Sequence, residues 1–218
     1  MNRQPKGPTS VRFTEEMKGH VSFGEEDHGR GAREGRETGT RLMFHLTIEA
    51  EDLDRFAADE TRGAVARGWV GCEALGGRLP VERGEFNLLV DREGSSQKRM
   101  LYRLFFRDGV GHPLTLSGFK VVGAPPGVRV WRDTTTLYVR VLRGHVRAGA
   151  DREAETVASG VLRLRMPAFL WQLTTFRAGG DSPAARAAAV GRFDGLFLGG
   201  LWQAYGRPAL RRLRRARG

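Results

Sequence analysis

Several stretches of the chain alternate apolar and polar residues with a period of two. That spacing turns one face of a strand toward a core and the other toward water. The longest runs from Trp131 to Arg143 (WRDTTTLYVRVLR), where Leu137, Val139 and Val141 alternate with Thr136, Tyr138 and Arg140. Upstream, Met100, Tyr102, Leu104 and Phe106 alternate with Leu101, Arg103, Phe105 and Arg107. Leu42, Phe44, Leu46 and Ile48 do the same against Met43, His45 and Thr47. A Gly-rich turn (Asp108 to Pro113), a strand from Leu114 to Val122 and the breaker Gly123 to Gly127 connect the later runs. Strands joined by such short turns form an antiparallel meander, because parallel pairs need long crossovers.

The rest of the chain extends this pattern. Val11 to Phe23 is expected as an edge strand, and Gly24 to Arg41, rich in Gly, Glu and Arg without periodicity, as an exposed loop. Glu51 to Ala58 suits a short helix with acidic residues early. Trp69 to Leu75 is expected as a strand, and Gly76-Gly77 as the hairpin into a strand carrying Phe86, Leu88 and Val90. Asp91 to Lys98 and His145 to Thr156 read as polar connections, and Val157 to Arg165 with Ala168 to Arg177 as a last strand pair. A helix is predicted over 183–205, with Ser182 as N-cap, Pro183 at the first helical position and Gly206 and Pro208 ending it.

About eight closely spaced strands predict a mainly β fold: an antiparallel β-barrel or curved sheet of lipocalin-like form with a C-terminal helix. A two-sheet sandwich is the alternative. Residues 1–10 are expected to be flexible, 11–206 to form one domain, and 207–218 to be a basic tail. At 218 residues the chain can bury a substantial core.

Composition narrows the function classes. One cysteine, Cys72, excludes an internal disulfide framework. No apolar run reaches membrane-spanning length and the N-terminus has no signal-peptide pattern, so a cytoplasmic protein is expected. Six arginines of the tail supply over half of the formal +11, and the basic residues are 32 Arg against 4 Lys. That bias fits a GC-rich genome better than selection for phosphate contact, and no nucleic-acid-binding motif accompanies it. Arginines interspersed with Leu210 and Leu213 would allow weak peripheral membrane contact, although simple solvation of the tail is the blander account.

Candidate chemistry is sparse. His45 lies on the polar phase of its strand, which suits a surface position or, with the phases reversed, a cavity. Asp133 follows Trp131 and is expected either to fix a turn through Thr134 and Thr135 or to serve as an acid or base. Cys72 reads as core packing, and Glu82 and Glu85 as a solvated tip around Arg83-Gly84. Neither Ser117 nor Ser159 has a histidine at nucleophile-activating spacing. No histidine spacing suits a metal. Tyr102, Trp131, Tyr138 and Trp171 are expected to fill the core or, with His45 and Asp133, to line a ligand cavity.

The segments FTEEMKGHVSFGE (13–25), LMFHLTIEAEDLDRF (42–56), GGRLPVERGEFNLLV (76–90), YRLFFRDGVGHPLTLSGFKVV (102–122) and WRDTTTLYVRVLRG (131–144) resemble a domain of actinobacterial sterol-oxidation proteins. The resemblance runs from about Val11 to Tyr205. In that family the domain accompanies a glucose-methanol-choline type flavin oxidoreductase of the cholesterol-oxidase kind, sometimes joined to an α/β-hydrolase. This chain has neither a G-x-G-x-x-G after a strand for a dinucleotide nor a G-x-S-x-G nucleophile elbow. The resemblance therefore implies a cofactor-free accessory module that binds a sterol or other hydrophobic molecule, or docks beside a separate flavin-dependent oxidoreductase. A small cofactor-independent isomerase or hydrolase and a protein-interaction scaffold are the alternatives.

Overall fold

In a computed structural model, residues 10–91, 97–122, 135–164 and 177–178 are described. Eight antiparallel strands close into a barrel: β1 (Val11–Phe23), β2 (Arg41–Ala50), β3 (Gly63–Cys72), β4 (Gly77–Asp91), β5 (Lys98–Arg107), β6 (Pro113–Val122), β7 (Thr136–Arg143) and β8 (Thr156–Arg163). Each pairs with the next in sequence, so the topology is a simple up-and-down meander. A two-residue β9 (Arg177–Ala178) adds to the start of β1.

The expected edge strand β1 is instead the seam of the barrel. Its residues Val11 to His20 pair with β2, and Lys18 to Phe23 pair with β8. Its thirteen residues serve both neighbours, with Lys18 to His20 paired on both sides. Closure leaves the eight strands no free lateral edge, which removes the sandwich alternative.

The inward phase holds the core. Phe13, Met17, Phe44, Leu46, Ile48, Phe86, Tyr102, Leu104, Phe106, Leu116, Leu137, Val139, Val141 and Leu162 are all buried. The alternation predicted for β2 holds throughout, and those for β5 and β7 hold except that Phe105 and Thr136, on the outward phase, are also buried. In β4 the alternation slips. The register shifts between Asn87 and Val90, Leu89 takes a left-handed φ of 52°, and Leu88 and Leu89 both become buried while Val90 is only half-buried. Gly84 lies inside continuous β4, so Glu82 and Glu85 are exposed strand positions and not a turn tip. The expected strand 69–75 ends at Cys72, and Glu73–Leu75 make a 3₁₀ turn. The short helix expected after β2 is α2 (Leu53–Ala58), capped by Asp52, with Leu53 and Phe56 buried in the core.

Residues 24–41, expected as a loop, contain a helix, α1 (His28–Glu37). Asp27 caps it through a 2.7 Å bond accepted from the Arg30 amide. The helix lies against β1 and β8 through Gly31 and Gly35, one turn apart and both buried. A Cβ at Gly31 would run into the Ser159 carbonyl, and one at Gly35 into the Val21 backbone. The helix touches the barrel by backbone, without an apolar stripe. Of the expected strand Ala168 to Arg177 only Arg177 is described, in β9, and the helix over 183–205 and the basic tail lie outside the described residues.

Candidate functional site

Two inward positions break the apolar phase with opposite charges. In β1 the inward series is Val11, Phe13, Glu15, Met17. In β6 it is Leu114, Leu116, Gly118, Lys120, Val122. Eight-fold closure places β1 across the lumen from β5 and β6. There Glu15 forms an ion pair with Lys120 and accepts a 2.7 Å hydrogen bond from the Tyr102 hydroxyl. Each of the three is 2% exposed. The Lys120 ammonium also sits 5.1 Å from the Tyr102 ring centroid.

Burial together with the neighbouring carboxylate pushes the Tyr102 hydroxyl far above its ordinary range, so it stays a donor. Phe44 stacks on the Tyr102 ring at 5.8 Å and Phe86 meets it edge-on at 5.0 Å. Phe44, Leu46, Leu104, Phe106, Leu116 and Val139 around them show no exposed surface. The barrel at this level is filled by side chains. Its polar trio is internally satisfied across the lumen, as an ion pair withdrawn from water must be.

The residues singled out from sequence therefore separate. Tyr102 is in the lumen. His45 is on the outer wall, stacked on Trp69 at 5.9 Å and 3.5 Å from the Glu16 carboxylate. Tyr138 is also outside, stacked on Phe119 at 5.4 Å and edge-on to His28 at 5.8 Å. Trp131, Asp133 and Trp171 lie outside the described residues. Ser159 donates to the Asp27 carbonyl, and Ser117 to the Asp151 carboxylate that Arg103 also grips. Both serines fasten loops. Among the described residues no three His, Cys, Asp or Glu gather into a metal site. Cys72 is buried, and burial pushes its thiol up, away from reactivity.

The outer wall beside α1 carries a different arrangement. A groove of about 1140 Å³ is lined by Lys18 and His20 of β1, Arg33 and Arg36 of α1, Arg41 of β2 and Arg163 of β8. Val121, Tyr138, Val161 and Leu164 add an apolar floor. Lys18 pairs with Glu16 at 2.8 Å, but none of the described ion pairs involves Arg33, Arg36, Arg41 or Arg163. The concentration of charge registers on His20, which partial burial and then Arg36 and Arg41 hold below its ordinary pKa. A concave surface with unneutralised guanidinium groups attracts anions and can grip them bidentately.

Sequence reading singled out Tyr102 but missed Glu15, Lys120 and the groove, for different reasons. Glu15 and Lys120 were visible as charges on apolar phases. The groove's arginines are spread over residues 33 to 163 and meet only when the seam closes. Among the described residues no helix is long and apolar enough to cross a membrane. Searches against protein-family models, curated proteins and solved structures found no match for this chain.

Proposed function

We propose that the protein is an accessory binding module that holds an anionic group in the groove between α1 and the β1–β8 seam. The observation that carries this reading is the convergence of four arginines, without carboxylate partners among the described residues, on one concavity. Isolated surface cations have little reason to cluster, since each repels the others until a counter-charge arrives. Side chains that fill the barrel at the level of the trio support a working surface on its outside. The apolar floor beside the arginines would suit the hydrophobic ligand class implied by the resemblance. The separate flavin-dependent sterol oxidoreductase is the partner such a module would serve.

Inorganic pyrophosphate tests the anion site directly. At low ionic strength and saturating concentration it is expected to raise the melting temperature by about 5 °C, as a ligand selective for the folded state does. In Arg36→Glu/Arg163→Glu the rise is expected to vanish, with the barrel's far-ultraviolet spectrum unchanged. A wild-type protein indifferent to pyrophosphate, or a double variant that responds equally, would overturn the reading.

A further inference from the structure

We infer that the natural occupant of the groove is a single amphipathic molecule, an acyl chain carrying a phosphate-type anionic head. This inference rests on the anion-binding reading above and adds the chemistry of the ligand's other half. The head would lie among Arg33, Arg36, Arg41 and Arg163, and the chain along the floor.

Basic and apolar side chains meet in the groove. The arginines come from α1, the start of β2 and the end of β8, and all four are exposed. Val121, Tyr138 and Val161 stand on the outward phase of β6, β7 and β8, where a plain water-facing wall would carry polar side chains. They are half-buried, and the buried Leu164 borders them from the core. A soluble polyanion would leave these side chains uncovered. An uncharged lipid would leave the guanidinium groups unanswered.

Guanidinium clusters favour phosphate because its oxygens accept paired N–H donors from more than one arginine. The shape argues against a bilayer as the partner. The cations surround a concavity walled by α1, whereas a membrane surface is flat and would meet them only at the rim.

The test compares ligands in the full-length protein, each below its aggregation concentration, by isothermal titration. The probes are 1-oleoyl lysophosphatidic acid, glycerol 3-phosphate and monoolein. Lysophosphatidic acid is expected to bind at least about 100-fold tighter than glycerol 3-phosphate, the gain from burying some four methylene groups. It is also expected to outcompete monoolein, and to lose at least tenfold in Arg36→Glu/Arg163→Glu. Val161→Thr, which swaps one methyl for a hydroxyl at nearly constant shape, is expected to weaken lysophosphatidic acid about fivefold while leaving glycerol 3-phosphate unchanged.

Equal affinity for glycerol 3-phosphate and lysophosphatidic acid overturns the amphiphile assignment and leaves the anion site standing. Equal affinity for monoolein overturns it by removing the role of charge. Binding that ignores the arginine substitutions places the ligand elsewhere and overturns it too. Silence from all three probes, alongside a null pyrophosphate result, overturns both conclusions together.

Discussion

Glu15 is a carboxylate in a position that the strand pattern reserves for an apolar side chain. Withdrawing it from water is tolerable only because Lys120 and Tyr102 both answer it from the opposite wall. Removing one member should therefore hurt more than the interaction itself is worth. Lys120→Met leaves Glu15 buried without a counter-charge, and a loss of about 3–5 kcal/mol is expected from chemical denaturation. Tyr102→Phe removes one donor and is expected to cost about 1–3 kcal/mol. The pair Glu15→Leu/Lys120→Met is expected to be less damaging than Lys120→Met alone, because no charge remains to be desolvated. Additive losses in this cycle would mean that the two residues act independently. At this scale the sequence was readable and under-read. The inward series of β1 and β6 each display one charge, of opposite sign, but which strands face each other depends on how the barrel closes.

The elements show where periodicity succeeds and where it fails. β2, β5 and β7 were legible because their inward residues are consistently large and apolar, while their outward neighbours are mostly polar or mixed. α1 was not, because HGRGAREGRE contains one alanine and no larger apolar residue to mark a helical face. Its signature is instead Gly31 and Gly35 at one-turn spacing behind a capping Asp27, which lets backbone rest on backbone. Glycine inside a helix ordinarily costs about 1 kcal/mol relative to alanine. Here the sign should invert. Gly31→Ala and Gly35→Ala would each thrust a methyl into a carbonyl of β8 or β1. Each is expected to destabilise the protein by about 1–3 kcal/mol in place of the usual gain. A melting temperature that rises in either variant would show that α1 stands farther from the wall than the structure places it. Since α1 supplies Arg33 and Arg36, the same variants should weaken pyrophosphate binding.

The whole molecule was legible in outline. Antiparallel strands in succession follow from the alternation and from the tight turns between β3 and β4 and between β5 and β6, and closure follows from the poor tolerance for bare strand edges. What the linear pattern could not reveal was the identity of the closing strand. Val11 to Phe23 was expected at an edge because its apolar positions are scattered. In the barrel those gaps are Glu15, held by its partners, and Gly19, where a side chain would collide with the backbone of β8. The seam also assembles the groove, since Lys18 and His20 meet Val161 and Arg163 only across the β1–β8 register. Amide hydrogen exchange should reflect this. Amides bonded across β5–β6, a local hairpin, are expected to be protected early in refolding, and those across β1–β8 late, because their sequence separation makes the contact entropically slow. Simultaneous protection of both sets would contradict that order.

A chain emerging from the ribosome could form every hairpin from β2 to β8 as soon as its second strand cleared the exit tunnel. Its first strand, however, would wait for the eighth, some 140 residues later by the pairing of His20 with Val161. During that interval one flank of β1 has no partner, in a molecule whose finished barrel has none to spare. Synthesis speed and chaperone shielding over that window, more than the stability of the completed fold, would then set how much of the protein reaches its native form.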